Sequence, residues 1–302
     1  MDLREKLIKL PRRESSGAWT QKRFDFQKHW AICKLLDLHR GGNDYVLIVE
    51  FHDDVVTLDK EQNPTSISFF QVKTKGNGKF SAADLTRRPK SQGSNERLGS
   101  ILGKMFLNKV NFESETESLN FVVNRHADQT KLKDLDSHYQ IQCSELSSKE
   151  RSKFSKSLQE EFELDSAPSL DDLLYFQVSD LTIEHQEELT RDRISRFLEN
   201  VFPGEAYSIT PIYNALYAEI GRKSGNSGSL QDFQSLINEK AISRKLFGRM
   251  IHDIQSSSRE SFRELGNRIW TDLSNEGVPL LRRNRFLRDW KEIPRQRFIL
   301  LN

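Results

Sequence analysis

Glu50-Phe51-His52-Asp53-Asp54-Val55-Val56-Thr57-Leu58, followed after a turn by Ser66-Ile67-Ser68-Phe69-Phe70-Gln71-Val72-Lys73, is the stretch on which the reading of this chain turns. Both runs are rich in β-branched and aromatic residues. The segment between them, Asp59-Lys60-Glu61-Gln62-Asn63-Pro64, is built of turn formers, so the pattern predicts a β-hairpin. Side chains alternate faces along a strand, which puts Gln71 and Lys73 on the face of Ile67 and Phe69, and Ser68, Phe70 and Val72 on the other. Asp53 and Asp54 open the first arm. Pairing of the arms would bring them to within roughly 5 Å of Gln71 and Lys73. Glu50 ends the strand before. Three acids facing a lysine are what metal-assisted phosphodiester hydrolysis needs: oxygen ligands for Mg²⁺, which keeps most of its waters, and a cation beside them to orient water and offset developing negative charge. Taken singly, an Asp-Asp pair is ordinary turn chemistry and a Gln or Lys at a strand end is ordinary solvated edge. The combination, with a basic loop directly after it, favours the site.

Outward from the hairpin, residues 17–39 predict a helix, because Phe26, Trp30, Cys33 and Leu36 recur at three and four and Gly41-Gly42 stops the run. Residues 45–51 form a short apolar run that predicts a buried strand. Residues 75–95 are Gly/Ser/Asn/Lys-rich and predict a basic loop with one short turn of helix. Helical spacing returns at 96–111, strands are expected at 118–124 and 173–178, and a charged amphipathic helix at 147–164. After about residue 181 only helical periodicity is legible, at 183–202, 212–222, 230–240, 241–256, 261–274 and 280–288. The expected architecture is α/β: a mixed sheet flanked by helices over residues 1–180, and a helical region over 181–302 for oligomerisation or partner binding.

Composition narrows the function classes. The 302 residues carry a formal net charge of only +2, so nucleic-acid binding has to come from local clusters. One cluster is Lys73, Lys75, Lys79, Arg87, Arg88 and Lys90, opposed by Asp84; the other is Arg282, Arg283, Arg285, Arg288, Lys291, Arg295 and Arg297. Cys33 and Cys143 are too few for a disulfide framework or a structural zinc site. The histidines lack zinc spacing, with His52 notable for adjoining the Asp pair. Gly76-Asn77-Gly78-Lys79 lacks the Walker spacing. A charged N-terminus and the absence of a long apolar run predict a cytoplasmic protein without a membrane span.

The order helix, acidic strand, Asp, Gln-Val-Lys, basic loop resembles the PD-(D/E)xK nuclease superfamily in the variant where Gln replaces the second acid. More narrowly, it resembles the N-terminal DNA endonuclease domain of bacterial anti-phage effectors of CBASS and Lamassu systems. The resemblance is carried by Ser16-Gly17 to Leu36 with Gln27 inside it, by Glu50 to Val55, by Phe70-Gln71-Val72-Lys73, and by Gly99-Ser100-Ile101-Leu102-Gly103-Lys104 with Asn120-Phe121-Val122-Val123-Asn124. It implies that Asp54 leads the metal ligands, that Gln71 takes the place of an acid, that Lys73 is the catalytic lysine, and that Glu50 and Gln27 complete the site. Asp53 competes with Asp54 as principal ligand. The metal implied is Mg²⁺, with Mn²⁺ as a substitute. Double-stranded DNA would be held without sequence preference through Lys75, Lys79, Arg87, Arg88 and Lys90. Two cuts in a duplex need two active sites, which predicts a homo-oligomer, and the resemblance implies control in trans by an SMC-like ATPase and an accessory subunit of the same operon. Because Gln71 weakens the ligand set, a non-catalytic DNA-binding or scaffolding module with a degenerate nuclease fold stands as the alternative; an RNase of the same fold is a third reading.

Overall fold

The computed structural model describes residues 16–76, 80–91, 93, 97–124, 140–203 and 207–275. In chain order its elements are α1 (Ser16–Arg40), β1 (Val46–Val49), β2 (Val55–Leu58), β3 (Ile67–Lys73), α2 (Ala82–Thr86), α3 (Ile101–Phe112), β4 (Thr116–Val123), β5 (Gln140–Gln142), α4 (Ser148–Phe162), β6 (Leu174–Val178), α5 (Gln186–Val201), α6 (Ile209–Gly225), α7 (Phe233–Lys240), β7 (Ala241–Ser243) and α8 (Arg244–Asn275). The strands form one seven-stranded sheet in the order β5-β6-β4-β3-β2-β1-β7. β3, β4 and β6 are parallel neighbours, whereas β5 pairs antiparallel with β6 and β7 antiparallel with β1. Parallel neighbours need crossovers, and helices supply them: α2 and α3 between β3 and β4, α4 between β4 and β6. The α/β class, the mixed sheet with flanking helices and the helical C-terminal part all match the expectation from sequence.

Chain contacts divide the molecule into two compact units that interleave along the sequence, residues 1–31, 50–57 and 65–186 in one, and 32–49, 58–64 and 187–302 in the other. In the first unit β3 and β4 are apolar on both faces, as parallel strands covered on both sides must be; Phe69, Phe70, Val72, Leu119, Phe121 and Val122 are all buried. Phe154 stacks on Phe176 at 5.9 Å, and Phe106 meets Phe162 edge-on at 5.3 Å, fixing helices to this core. In the second unit His39 sits among Tyr45, Phe197 and Phe247, where burial, helped by the Arg244 cation, lowers its pKa.

Three elements depart from the sequence reading: β7, β5 and α8, the last running unbroken over Arg244–Asn275 where the spacing predicts two helices, 241–256 and 261–274. Ala241–Ser243, expected to begin a helix, is an edge strand in register with β1 (Val46 opposite Ser243, Ile48 opposite Ala241). All three residues are buried, so burial in the sheet outweighs helical propensity here. β5, also three residues long, is too short to leave a period in the sequence.

Candidate active site

Every residue implicated by the hairpin lies in the first unit. Asp54 stands one residue before β2, and its Oδ2 is the acceptor on which β3 converges. The Val72 backbone N–H donates to it at 2.8 Å and Lys73 Nζ at 3.3 Å. The Gln71 amide nitrogen donates to the same oxygen. Gln71 is 8% exposed, while the Lys73 side chain is 33% exposed against 14% for Asp54. Lys73 thus reaches from the part-buried carboxylate toward solvent. With its nitrogen committed to Asp54, Gln71 keeps its amide oxygen as a neutral acceptor.

The corner before β2 is tight. Glu50 N–H donates to the Asp54 carbonyl at 3.1 Å and Phe51 N–H to the Asp53 carbonyl at 3.3 Å. Glu50 takes φ +48°, a left-handed conformation that a non-glycine residue holds only where its surroundings fix it. Asp53 accepts from its neighbour's backbone, Asp54 N–H, at 2.9 Å and from Asn108 Nδ2 at 3.3 Å. Burial, and then the Asp54 charge beside it, push the Asp53 carboxyl up to about 7. His52 lies edge-on to Phe51 and Phe112 at 4.2 and 5.0 Å, and burial lowers its pKa.

From α1, Gln27 Nε2 donates to the Val72 carbonyl at 3.2 Å, while its Oε1 is buried without a hydrogen-bond partner. A buried acceptor left unmet is costly and asks for a ligand or a water. Asn108 is the site residue that sequence reading missed. It is 5% exposed on α3, and an asparagine inside an apolar helical run carries no local signal of a tertiary partner.

The basic loop is partly structural. Lys75 Nζ donates to Asp84 at 2.8 Å and lies 4.6 Å from the centre of the Phe80 ring. Asp84 in turn closes a capping box with Ser81 at the start of α2. The Lys75 hydrogen bond, aided by those from Ser81, holds the Asp84 carboxyl down to about 2. Arg88 donates to the Leu98 and Arg97 carbonyls. Arg87 and Lys90 are exposed. Lys79 and the arginine cluster at 282–297 lie outside the described residues.

Residues 15–224 match the family described as Cap4, dsDNA endonuclease domain. This chain belongs to that family. The match runs through β6 and α5 to the last turn of α6. No curated protein matches. Two solved structures of the Acinetobacter baumannii Cap4 SAVED/CARF-domain containing receptor are similar, one with the cyclic trinucleotide 2'3'3'-cAAA. That one is 12% identical, with a TM-score of 0.46, over 79% of this chain and 46% of its own. The other is 13% identical, with a TM-score of 0.46, over 79% and 48%. The chain thus spans about half the length of the solved structures it matches. No helix among the described residues is long and apolar enough to cross a membrane.

Metal-assisted hydrolysis of a phosphodiester needs oxygen ligands for the ion. Among the described residues no group of three or more His, Cys, Asp or Glu side chains is placed to hold an ion. What the corner offers is the Asp54 and Asp53 carboxylates, with Glu50 in the same turn, and the Gln71 amide; the unmet Gln27 Oε1 belongs to the side chain that bonds the Val72 carbonyl. An all-oxygen set with few carboxylates suits Mg²⁺, which retains waters, and fits neither zinc nor copper.

Proposed function

We propose that this protein is a metal-dependent DNA endonuclease that cuts double-stranded DNA with little sequence preference. The observation that carries the reading is the convergence of Gln71, Val72 and Lys73 on one oxygen of Asp54. That arrangement sets a carboxylate, an amide and a partly exposed ammonium at one corner. Membership of the Cap4 dsDNA endonuclease family supports the substrate class. Asp54, Gln71 and Asp53 would hold Mg²⁺ (or Mn²⁺), with Glu50 and Gln27 completing its surroundings; bound there, the ion would polarise the phosphate and lower the pKa of an attacking water.

The chain's own groups have separable tasks. Lys73 places a positive charge where the pentavalent phosphate gains negative charge, and its N–H groups orient the water. Val72 N–H and Gln71 fix the Asp54 carboxylate in one rotamer. Asn108 does the same for Asp53, and Gln27 anchors the strand through the Val72 carbonyl. Phosphate contacts would come from Arg87, Arg88, Lys90 and Lys79, with Lys75 mainly shaping the loop. The test is cleavage of supercoiled plasmid with and without Mg²⁺. Degradation that requires the ion and fails with EDTA is the expected result. Binding without cutting across divalent metals would favour the scaffolding alternative, and preferential cutting of RNA would favour the third reading.

The finer reading is that the protein is the nuclease effector subunit of an anti-phage defence complex of Lamassu type, oligomeric and restrained by an SMC-like ATPase and an accessory subunit. It rests on the motif series such subunits share. Co-purification with the operon neighbours, with mass measurement of the assembly, tests it; a monomer that cuts fully and binds neither neighbour would overturn it.

A further inference from the structure

α1 lies along β3 in the reverse direction, and three contacts along it mark the course. The Trp30 ring sits 5.3 Å from that of Phe70, Gln27 bonds the Val72 carbonyl, and Trp19 covers Gly76, where a Cβ would lie 3.0 Å from the indole. The helix therefore continues past the C-terminal end of the strand that carries Lys73. Trp19, Arg23, Phe26, Gln27 and Trp30 recur at three and four, so they form one stripe. Phe26 and Trp30 in that stripe are buried, yet Trp19, two turns further out, is 44% exposed. Lys22 and Arg23 on the same turns are exposed and make no ion pair among the described residues.

An exposed tryptophan on a stripe whose inner positions Phe26 and Trp30 are core, with exposed Arg23 on the stripe and exposed Lys22 beside it, has the chemistry of a nucleic-acid contact. Its aromatic body suits a sugar or base edge, and the cations suit phosphates. The distance agrees. Eight residues of helix separate Trp19 from Gln27, about 12 Å, which corresponds to about three to four base steps at about 3.4 Å each.

We propose that Trp19, with Arg23 and Lys22, is a DNA-gripping element that holds the duplex about three to four base steps from the point where Gln27 meets the strand of Lys73, with the indole against the duplex and the cations on flanking phosphates. Gly76 is small because the indole lies over it. This inference rests on the endonuclease reading.

The test measures binding of a short labelled duplex by fluorescence anisotropy across a salt series, in a Lys73→Ala background that removes cleavage. Trp19→Ala is expected to weaken binding about tenfold, and Trp19→Phe to recover most of it. Arg23→Gln is expected to lower the slope of log K against log salt by about 0.9, the signature of one lost phosphate contact. Arg23→Gln and Trp19→Phe should melt with the parent, since Arg23 is exposed and phenylalanine keeps an aromatic ring over Gly76. If the parent binds duplex and both Trp19→Ala and Arg23→Gln bind as it does, the inference is wrong while the nuclease reading stands. Variants that change only the sedimentation of the protein would mark this surface as a contact between copies, and would equally overturn it. A parent that binds no duplex overturns the nuclease reading first, and this inference with it.

Discussion

The Asp54 carboxylate and the Lys73 ammonium approach to 3.3 Å through the same oxygen that accepts from the Val72 backbone. The pair is one third in solvent at its cationic end, so its worth to the fold is small, whereas its worth to chemistry at that corner is large. Asp54→Asn and Lys73→Met should each slow plasmid cleavage by about a thousandfold or more while shifting stability by no more than about 1–2 kcal/mol. Asn at position 54 keeps an acceptor for Val72 N–H, which is why it is preferable to Ala. Mg²⁺-dependent plasmid degradation beside thermal melting checks both halves. Variants that cut at the parent rate would remove Asp54 and Lys73 from the site.

Asp53 should behave in the opposite sense toward stability. Its folded pKa is raised to about 7 from an ordinary value of 3.8, so the folded protein holds the extra proton between those values. Stability from this group is therefore present at low pH and falls as pH rises through that window. Asp53→Asn removes the cost of a buried charge, and Asn108 can turn its amide to meet the new one. In metal-free buffer Asp53→Asn should melt with the parent near pH 4 and above it at pH 8, by about 1–2 kcal/mol. Its cleavage rate, compared with that of Asp54→Asn, also decides which aspartate is the principal ligand. An Asp53→Asn protein that melts below the parent at pH 8 would show that the charged Asp53 stabilises the fold there, and would overturn the prediction.

The parts of this arrangement that were legible in the sequence are those with a period. Phe26 and Trp30 announce α1 by their spacing, and Gln71 with Lys73 announces a shared strand face by alternation. What was hidden depends on partners distant in sequence. Asn108 reads as one polar residue in an apolar helix until Asp53 is brought to it. Lys223 reads as a surface charge, yet it is 1% exposed because its ammonium donates to the Ile237 and Asn238 carbonyls at the end of α7. Lys75 reads as one of a row of phosphate-binding cations, and only the fold discloses Asp84 opposite it. β7 was hidden for a different reason, since three residues cannot show a period and burial against β1 decides their conformation.

The Lys75–Asp84 pair predicts an acid-sensitive term. The Asp84 carboxyl is held down to about 2 from 3.8, so its contribution is present above about pH 4 and is lost as pH falls toward 2. Both side chains are partly exposed, 29% and 24%, which limits the effect at neutral pH to about 1 kcal/mol or less. Lys75→Met should flatten the decline in stability between pH 4 and pH 2, measured by denaturant midpoints at fixed ionic strength. The same variant separates structure from DNA contact. Arg87→Gln and Lys90→Gln should each reduce the salt slope of DNA binding by about 0.9, and Lys75→Met by clearly less. An equal reduction for all three would place Lys75 on the DNA.

Gly103 and Glu161 offer a prediction whose sign reverses with background. The Glu161 carboxylate seats against the first turn of α3, accepting from Ser100 N–H at 2.8 Å and Ser100 Oγ at 2.6 Å, while Ser100 Oγ caps Gly103 N–H at 2.8 Å. A Cβ on Gly103 would overlap that carboxylate, so Gly103→Ala must expel Glu161 and leave the fully buried Ser100 short of its partners, at about 1–3 kcal/mol. With Glu161→Ala already made, the space is open and alanine gains its helical advantage over glycine, about 1 kcal/mol. Gly103→Ala should therefore destabilise the parent and stabilise the Glu161→Ala protein, a coupling that a double-mutant cycle of unfolding free energies reads directly. Equal effects in the two backgrounds would show that Glu161 is not what demands a glycine at position 103.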